Sequence, residues 1–521
     1  MSEDKQQNTD VANNKRIAKN TLLLYVRMLF TMMVSLYTSR VILNTLGVED
    51  FGIYNVVGGV VTMFSFLNGA MSSATQRYFT FGLGKGDKIQ LKKVFSTTIS
   101  IHGLISVVII LLAETIGLWF LMTQMTIPSD RMSGALWVYQ FSVLACVVMV
   151  MSVPYNAAII AHEKMSAFAY ISILEVALKL FIVYLLVVFS FDKLKLYAVL
   201  MFSVQMIVCL AYTRYCGKHF PETKFKFMWD KALFKEMSVF AGWNLCGNLA
   251  AVTFTQGVDI LLNLFFGPVV NAARGVAIQV QGAINGFSMN FQMALNPQII
   301  KSYAKNDLSY MHSLIFRSSK FSFFLLLLLS LPVLIETKTI LTLWLNIVPD
   351  YTVSFVRIML CITLVDSIGS PLMVAAQATG KIRFYQTVVG GVLLLILPFS
   401  YLCLKLGAMP EVVFLVHLLM VVIAQIVRLY IVQPLIKLSM KQYFYEIFMK
   451  IVYVTFLSIL LPLVLYNFLP DNWWRFFLVC FSCLISVSII SYFVGLTLGE
   501  RNVIKAKIIT SYQMVIKYLG F

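Results

Sequence analysis

Two stretches of equal length decide how this chain folds: GVEDFGIYNVVGGVVTMFSFLNGAMSSATQRYFTFGLGKGD (47–87) and GPVVNAARGVAIQVQGAINGFSMNFQMALNPQIIKSYAKND (267–307). A shift of 220 residues lays one on the other without a gap, so that Gly47 meets Gly267, Lys85 meets Lys305 and Asp87 meets Asp307. Polar positions correspond as well: Ser65 with Asn285, Asn68 with Ser288, Ser72 with Gln292, Gln76 with Asn296. Identity is low, but helix length, linker start and polar stripe agree together. The two stretches lie six apolar segments apart, an even number that preserves orientation. The chain therefore reads as two six-helix halves in parallel topology, a plan known among transporters.

The composition demands a membrane. Of 521 residues, 60% are hydrophobic and 12% charged, where a soluble domain has ~45–50% and ~25%. So few charges could not coat a soluble fold of this size, which excludes a soluble enzyme or a nucleic-acid-binding protein. Hydropathy marks about fourteen segments, near 20–43, 51–75, 94–121, 133–161, 166–190, 196–216, 238–266, 269–296, 316–345, 350–377, 384–405, 411–434, 444–468 and 474–497. Each is long enough to cross a bilayer as a helix. The expected fold is an all-α integral membrane protein: two pseudo-symmetric six-helix lobes plus two extra C-terminal helices. Its expected parts are a disordered cytoplasmic tail (1–18), an N-lobe (19–216), a cytoplasmic linker (217–237), a C-lobe (238–434), helices thirteen and fourteen (435–497) and a cytoplasmic amphipathic tail (498–521). Within the linker, Phe225, Met228/Trp229, Ala232/Leu233 and Glu236/Met237 recur at helical spacing, which suits an interfacial helix or packing against neighbouring loops. The eight cysteines show no closely spaced loop pair and read as small buried hydrophobes.

Positive charge alternates from linker to linker. Thirty of the 41 Lys and Arg fall on one side, eight on the other and three within spans. That asymmetry accounts for the net charge of +18 and places both termini in the cytoplasm.

The polar residues inside spans are the informative ones. Asn271, Arg274, Gln281, Asn285, Ser288, Gln292 and Asn296 share one helix face; so do Asn55, Thr62, Ser65, Asn68, Ser72 and Gln76. Lipid offers them no hydrogen bonds, so they face either protein neighbours or a hydrophilic cavity. The segment KFSFFLLLLLSLPVLI (320–335) has little polar to shield and reads as lipid-facing. Arg27, Arg40 and Arg274 either snorkel to headgroups or hold an anion. Glu175 and Lys179, four apart in one span, read as a structural ion pair in preference to a proton or substrate site. Asp259 and Asp366 are the remaining carboxylates suited to a coupling ion.

NTLLLYVRMLFTMMVSLYTSRVILNTLGVEDFGIYNVVGGVVTMFSFLNGAMSSATQRYF (20–79) and DSIGSPLMVAAQATGKIRFYQ (366–386) resemble bacterial polysaccharide flippases of the multidrug/oligosaccharidyl-lipid/polysaccharide exporter superfamily. The resemblance spans essentially the whole chain. It implies a V-shaped pair of lobes around a cationic cavity, and movement of a polyprenyl-pyrophosphate-linked oligosaccharide across the bacterial inner membrane by alternating access, for O-antigen, capsule or exopolysaccharide. Relatives use first-helix arginines in the cavity; Arg27 matches best in position and Arg40 less well. The sodium site of such relatives is not recognisable here.

The expected substrate-binding set is thus Arg27, Arg40, Arg274, Asn55, Asn68, Gln76, Gln281, Asn285 and Gln292. The ion-coupling candidates are Asp259, Asp366, Glu175 and Lys179. No covalent chemistry, cofactor, metal or nucleic acid is expected. The expected partners are the lipid-linked glycan, membrane lipids, a coupling proton or sodium ion, and other glycan-assembly membrane proteins. The alternatives are an ion-coupled multidrug exporter of the same superfamily and a membrane glycan polymerase. The polymerase is disfavoured because every outer linker is short and no Asp-x-Asp signature appears.

Overall fold

The computed structural model describes residues 16–17, 19–34, 37–38, 41–42, 45–46, 50, 53–54, 57, 65–123, 127–189, 191–225, 228, 230–345 and 348–502, without the side chains of 65–68, 70, 187, 268, 269 and 272. The N-terminal tail expected at 1–18 and the amphipathic C-tail expected at 498–521 lie outside this set, apart from residues 16–17 and 498–502.

The described residues are helical, with no strand among them. Residues 19–34 form part of the first expected span. We label the rest α1 (Ser65–Lys85), α2 (Lys88–Thr123), α3 (Met132–Ala161), α4 (Met165–Val188), α5 (Lys193–His219), α6 (Lys231–Phe266), α7 (Pro268–Ala304), α8 (Leu308–Ile335), α9 (Thr337–Leu345), α10 (Thr352–Thr379), α11 (Arg383–Lys405), α12 (Glu411–Ile436), α13 (Met440–Phe468) and α14 (Trp473–Gly495). Eleven of these are long and apolar enough to cross a membrane. The protein is a multi-pass α-helical membrane protein, and its helices track the hydropathy segments to within a few residues for most of the chain.

The turn after each repeat copy is built alike. Gly86 has φ 74° and Asn306 has φ 60°, both left-handed; glycine and asparagine tolerate that region best. The aspartate that follows caps the next helix in both copies. Asp87 Oδ1 accepts from the Ile89 and Gln90 amides at 3.0 and 2.9 Å, and Asp307 Oδ1 accepts from the Tyr310 amide at 3.1 Å. Each cap satisfies amide donors that a helix start leaves open.

Contacts divide the chain into two compact units whose boundaries fall inside α6, α7, α8, α10 and α11. Unit 1 comprises Met1–Val252, Met293–Met311 and Val374–Gly390. Its core gathers Leu24, Phe79, Phe95, Ala158, Ile160, Met165, Tyr212 and Met237. A π-turn at Ala113–Gly117 interrupts α2, and the Tyr139 hydroxyl donates to the Ala113 carbonyl there at 2.7 Å. A Cβ on Gly117 would collide with that hydroxyl, so the glycine makes the contact possible. Of the stretch weighed for 225–237, residues 226, 227 and 229 lie outside the described set, and the part from Lys231 on takes the packing alternative. Asp230 accepts from the Leu233 amide, and α6 runs unbroken from Lys231 with Leu233 and Met237 buried in the core. Apolar side chains within reach of a protein core gain more there than at a half-wet interface.

Unit 2 comprises Thr253–Gln292, His312–Met373 and Gly391–Phe521. Here α8 corrects the lipid-facing assignment of 320–335. More than half of its apolar window is buried, and Ser318, Ser319, Lys320, Ser322 and Ser330 are all sealed from solvent. Lys320 Nζ meets Glu500 Oε2 at 3.0 Å. Hydropathy could not reveal this, because lipid and protein interior are equally apolar surroundings. The cysteines are all free; Cys146, Cys216 and Cys483 are buried, but Cys246 is exposed.

Candidate functional site

In unit 1, one face of α4 carries Phe168, Ser172, Glu175 and Lys179 at steps of four, three and four, which stacks them along the helix. Arg27, from the first helical stretch, lies against this face. Its Nη1 donates to Ser172 Oγ at 3.5 Å, and its guanidinium sits 4.6 Å from the Phe168 ring centroid. The ring face attracts the cation and covers its apolar side. One turn further, Lys179 Nζ donates to Glu175 Oε1 at 2.6 Å. Glu175 and Tyr212 both act electrostatically on Arg27. Two cations thus flank one carboxylate, and the Lys179 and Glu175 side chains remain 39% and 30% exposed. Sequence reading had kept Arg27 and the Glu175–Lys179 pair in separate roles; the fold makes them neighbours.

The rest of unit 1 holds fewer of the expected residues. Gln76 is half-buried on α1. Asn68 lies in α1 with its side chain outside the described set, and Arg40 and Asn55 are also outside it. Two residues outside the expected site turn out to be structural, one of them, Arg77, counted from sequence as linker charge. Arg77 is buried; its Nε donates to the Gln377 carbonyl at 3.1 Å, and Nη2 donates to the Ala378 carbonyl at 3.5 Å. Gly380, at φ 77°, makes room, since a Cβ there would press on the guanidinium. Glu163, in the α3–α4 turn, is likewise buried and binds Arg16, Gln298 and Lys301. No periodicity marked it, because it sits in a connector of a few residues.

In unit 2, each expected ion-coupling carboxylate, Asp259 and Asp366, is met by an arginine. Arg274 is buried, donates to the Thr255 carbonyl at 3.0 Å and forms an ion pair with Asp259. Asp366 accepts from Arg428 Nη1 at 2.7 Å. Arg428, counted from sequence with the cytoplasmic linker charges, lies within α12; a charge inside a span, eight residues before the helix ends, was the missed signal. Gln281 donates to Thr363 Oγ1 at 2.8 Å. Gln292 donates to Ser288, Ser322 and the Ser367 carbonyl and accepts from Ser370. These two amides are engaged by neighbouring side chains within the unit, the packing alternative for a polar stripe. Asn285 is half-buried between them. Among the described residues no group of three or more His, Cys, Asp or Glu is placed to hold a metal.

The profile of a family described as polysaccharide biosynthesis protein matches residues 17–297. No curated protein sequence matches the chain. Among solved structures, an outward-facing multidrug resistance MATE family transporter of the MOP superfamily superposes with TM-score 0.70 at 13% identity, covering 82% of this chain and 96% of that one. A MATE structure in the bent conformation gives the same TM-score, identity and coverages, 0.70, 13%, 82% and 96%. The MATE transporter ClbM in complex with Rb+ gives 0.68 at 15% identity, covering 82% and 96%. The likeness is one of fold.

Proposed function

This chain belongs to the polysaccharide biosynthesis protein family, within a superfamily of transporters, and on that premise we propose that it is a flippase for a lipid-pyrophosphate-linked glycan. The cargo crosses the bacterial inner membrane by alternating access, both termini lie in the cytoplasm, and the protein makes and breaks no covalent bond. The observation that carries this reading is the α4 face of unit 1. Arg27 and Lys179 gather there beside Glu175 within a membrane span, where ionisable groups are costly and mark functional sites. Guanidinium and ammonium groups are the usual partners of phosphate oxygens. In this reading Arg27 and Lys179 hold the pyrophosphate, while Gln76, Asn285 and the polar residues near them meet sugar hydroxyls.

Deleting the gene and assaying leaflet distribution tests it. The lipid-linked glycan should accumulate on the cytoplasmic leaflet, and normal arrival at the outer face would end the proposal. The MATE-like fold favours one second reading, an ion-coupled multidrug exporter of the same superfamily. Drug sensitivity in the deletion strain with unaltered glycan flux would select it.

A further inference from the structure

We infer that the α3–α4 and α10–α11 turns are the two hands of a pseudo-symmetric clasp that closes the Lys- and Arg-rich side of the protein, and that releasing both hands opens this side to cargo. That side is cytoplasmic in the proposed orientation. The clasp rests on the proposed alternating access and supplies the gate which that reading lacks.

Every contact concerned lies within unit 1, which takes in Met293–Met311 and Val374–Gly390 from the second half of the chain. In the repeat, α1 corresponds to α7. The α3–α4 turn, between spans four and five, corresponds to the α10–α11 turn, between spans ten and eleven. The grips are reciprocal. The turn of the first half holds the helix of the second: Glu163 accepts from Lys301 and Gln298, near the end of α7, both at 2.5 Å. The turn of the second half holds the helix of the first: the Gln377 and Ala378 carbonyls accept from Arg77 of α1 at 3.1 and 3.5 Å. Each turn carries a left-handed residue, Glu163 at φ 59° and Gly380 at φ 77°.

The helices α1 and α7 also touch each other. A Cβ on Gly84 would lie 2.6 Å from the Ala304 Cβ and 3.0 Å from the Lys301 carbonyl oxygen. Positions 84 and 304 are 220 residues apart, the repeat shift itself. Two copies related by a two-fold axis bring equivalent residues together only on that axis. The axis of the duplication therefore runs through this crossing, and the two grips are its symmetry mates.

The chemistry suits contacts that open. Among the buried members of the unit 1 core, the second half supplies Phe240, Ala241, Ala294 and Ile382; the grips themselves are polar. Parting apolar surfaces costs free energy in proportion to the area exposed. A buried ion pair differs, because the cost of desolvating its charges roughly matches their attraction. Opening such a pair to water as a whole changes the free energy little, whereas deleting one partner strands a charge. The Glu163 carboxylate is fully buried against Lys301, and Arg16 on its other oxygen is already nearly half exposed. The left-handed backbone of Glu163 is imposed by its surroundings, so release relieves it.

The test reads the gap in the full-length protein in nanodiscs and needs no cargo. Spin labels are placed at Lys85→Cys and Lys305→Cys, equivalent exposed positions beside the crossing, with the native cysteines replaced by alanine or serine. Dipolar spectroscopy should find a short distance for the clasped form. Gly84→Leu wedges the crossing, and Glu163→Gln combined with Arg77→Gln weakens both grips. Each should raise the ratio of a longer distance to the short one by about tenfold or more. An unchanged short distance in both, in protein that melts cooperatively, would overturn the gate, since a purely structural bridge lowers the melting temperature and leaves the distance alone. Gly84→Cys with Ala304→Cys covers the case in which those variants fail to fold, because it ties the crossing and keeps both grips. Oxidised with copper phenanthroline in the deletion strain, it should stop lipid-linked glycan from reaching the outer leaflet, and reductant should restore the flow. Undiminished arrival with the cross-link in place would overturn the gate. A deletion strain with no glycan defect would end the flippase reading instead and leave the distance measurement to decide the gate.

Discussion

Glu163 and Lys301 are 138 residues apart in the chain, and their side chains meet at 2.5 Å within unit 1. The contact joins the short turn between α3 and α4 to the last turn of α7. Gln298 Nε2 and Arg16 Nε reach the other carboxylate oxygen at 2.5 and 2.8 Å, and Asn20 donates to the Glu163 backbone carbonyl at 3.2 Å. The carboxylate is fully buried, and the residue holds φ 59°, an unfavourable region for glutamate. Such a conformation persists only where its surroundings over-determine it.

Removing this carboxylate should leave buried donors without an acceptor. Glu163→Ala should cost about 3–5 kcal/mol, as for a buried ion pair broken from one side. Arg16→Ala removes a side chain 47% exposed and should cost under about 1 kcal/mol. Thermal unfolding of both variants in nanodiscs checks the difference; equal losses would contradict the burial argument.

Arg77 and Gly380 make a second test. Gly380 and Gly407 both have positive φ, 77° and 86°, so alanine at either carries the left-handed penalty of about 1–2 kcal/mol. Only at Gly380 would the new methyl also press on a guanidinium; Gly407 has nothing within 4 Å. Gly380→Ala should therefore destabilise more than Gly407→Ala, and replacing Arg77 with a smaller residue in the Gly380→Ala background should narrow the gap.

Gly369 stands in the same relation to Arg428. A Cβ there would collide with the Arg428 and Gln425 side chains. Gly369→Ala should push the guanidinium off Asp366 and destabilise by about 1–3 kcal/mol, the usual cost of overpacking a filled site. Gly391 has open space, so Gly391→Ala should be neutral or stabilising by up to about 1 kcal/mol.

Acid should weaken the turn after α5. The His162 ring, stacked on Phe220 at 4.0 Å, contacts Glu222 Oε1 at 2.6 Å. That hydrogen bond, against the opposing effect of burial, holds the Glu222 carboxyl below its ordinary value of 4.5. A lowered folded-state value means that the stabilisation is complete above about pH 4.5 and is lost as pH falls through the lower folded value. Glu222→Gln should therefore flatten the fall in melting temperature between pH 5 and pH 3. A curve superimposable on that of the wild type would exclude the contribution.

Much of this architecture was legible in advance. Long apolar segments mark helices because an unpaired backbone in lipid is prohibitive, and α3, α4, α10 and α12 begin and end within three residues of their hydropathy segments. The repeat was legible too, down to the aspartates at 87 and 307 that cap the following helices. The site was legible only as a set of residue types. Arg27, Glu175 and Lys179 stood out because charges inside spans are rare. Nothing in their spacing announced that residue 27 would lie on the face carrying residues 168 to 179. Lys320 and Arg428 were counted with the loops because hydropathy averages over a window and cannot see a carboxylate that arrives from another helix.

The amino-acid sequence alone determined that this is a helical, multi-pass membrane protein with a duplicated plan, since hydrophobic length and polar spacing are local properties written into each segment. Which charged residues meet was decided only in three dimensions. Two arginines of unit 2 found their own aspartates, and Arg27 came to share one glutamate with Lys179. Charge interactions fall off with distance and act across helices far apart in the chain, so their balance exists only once the helices have packed.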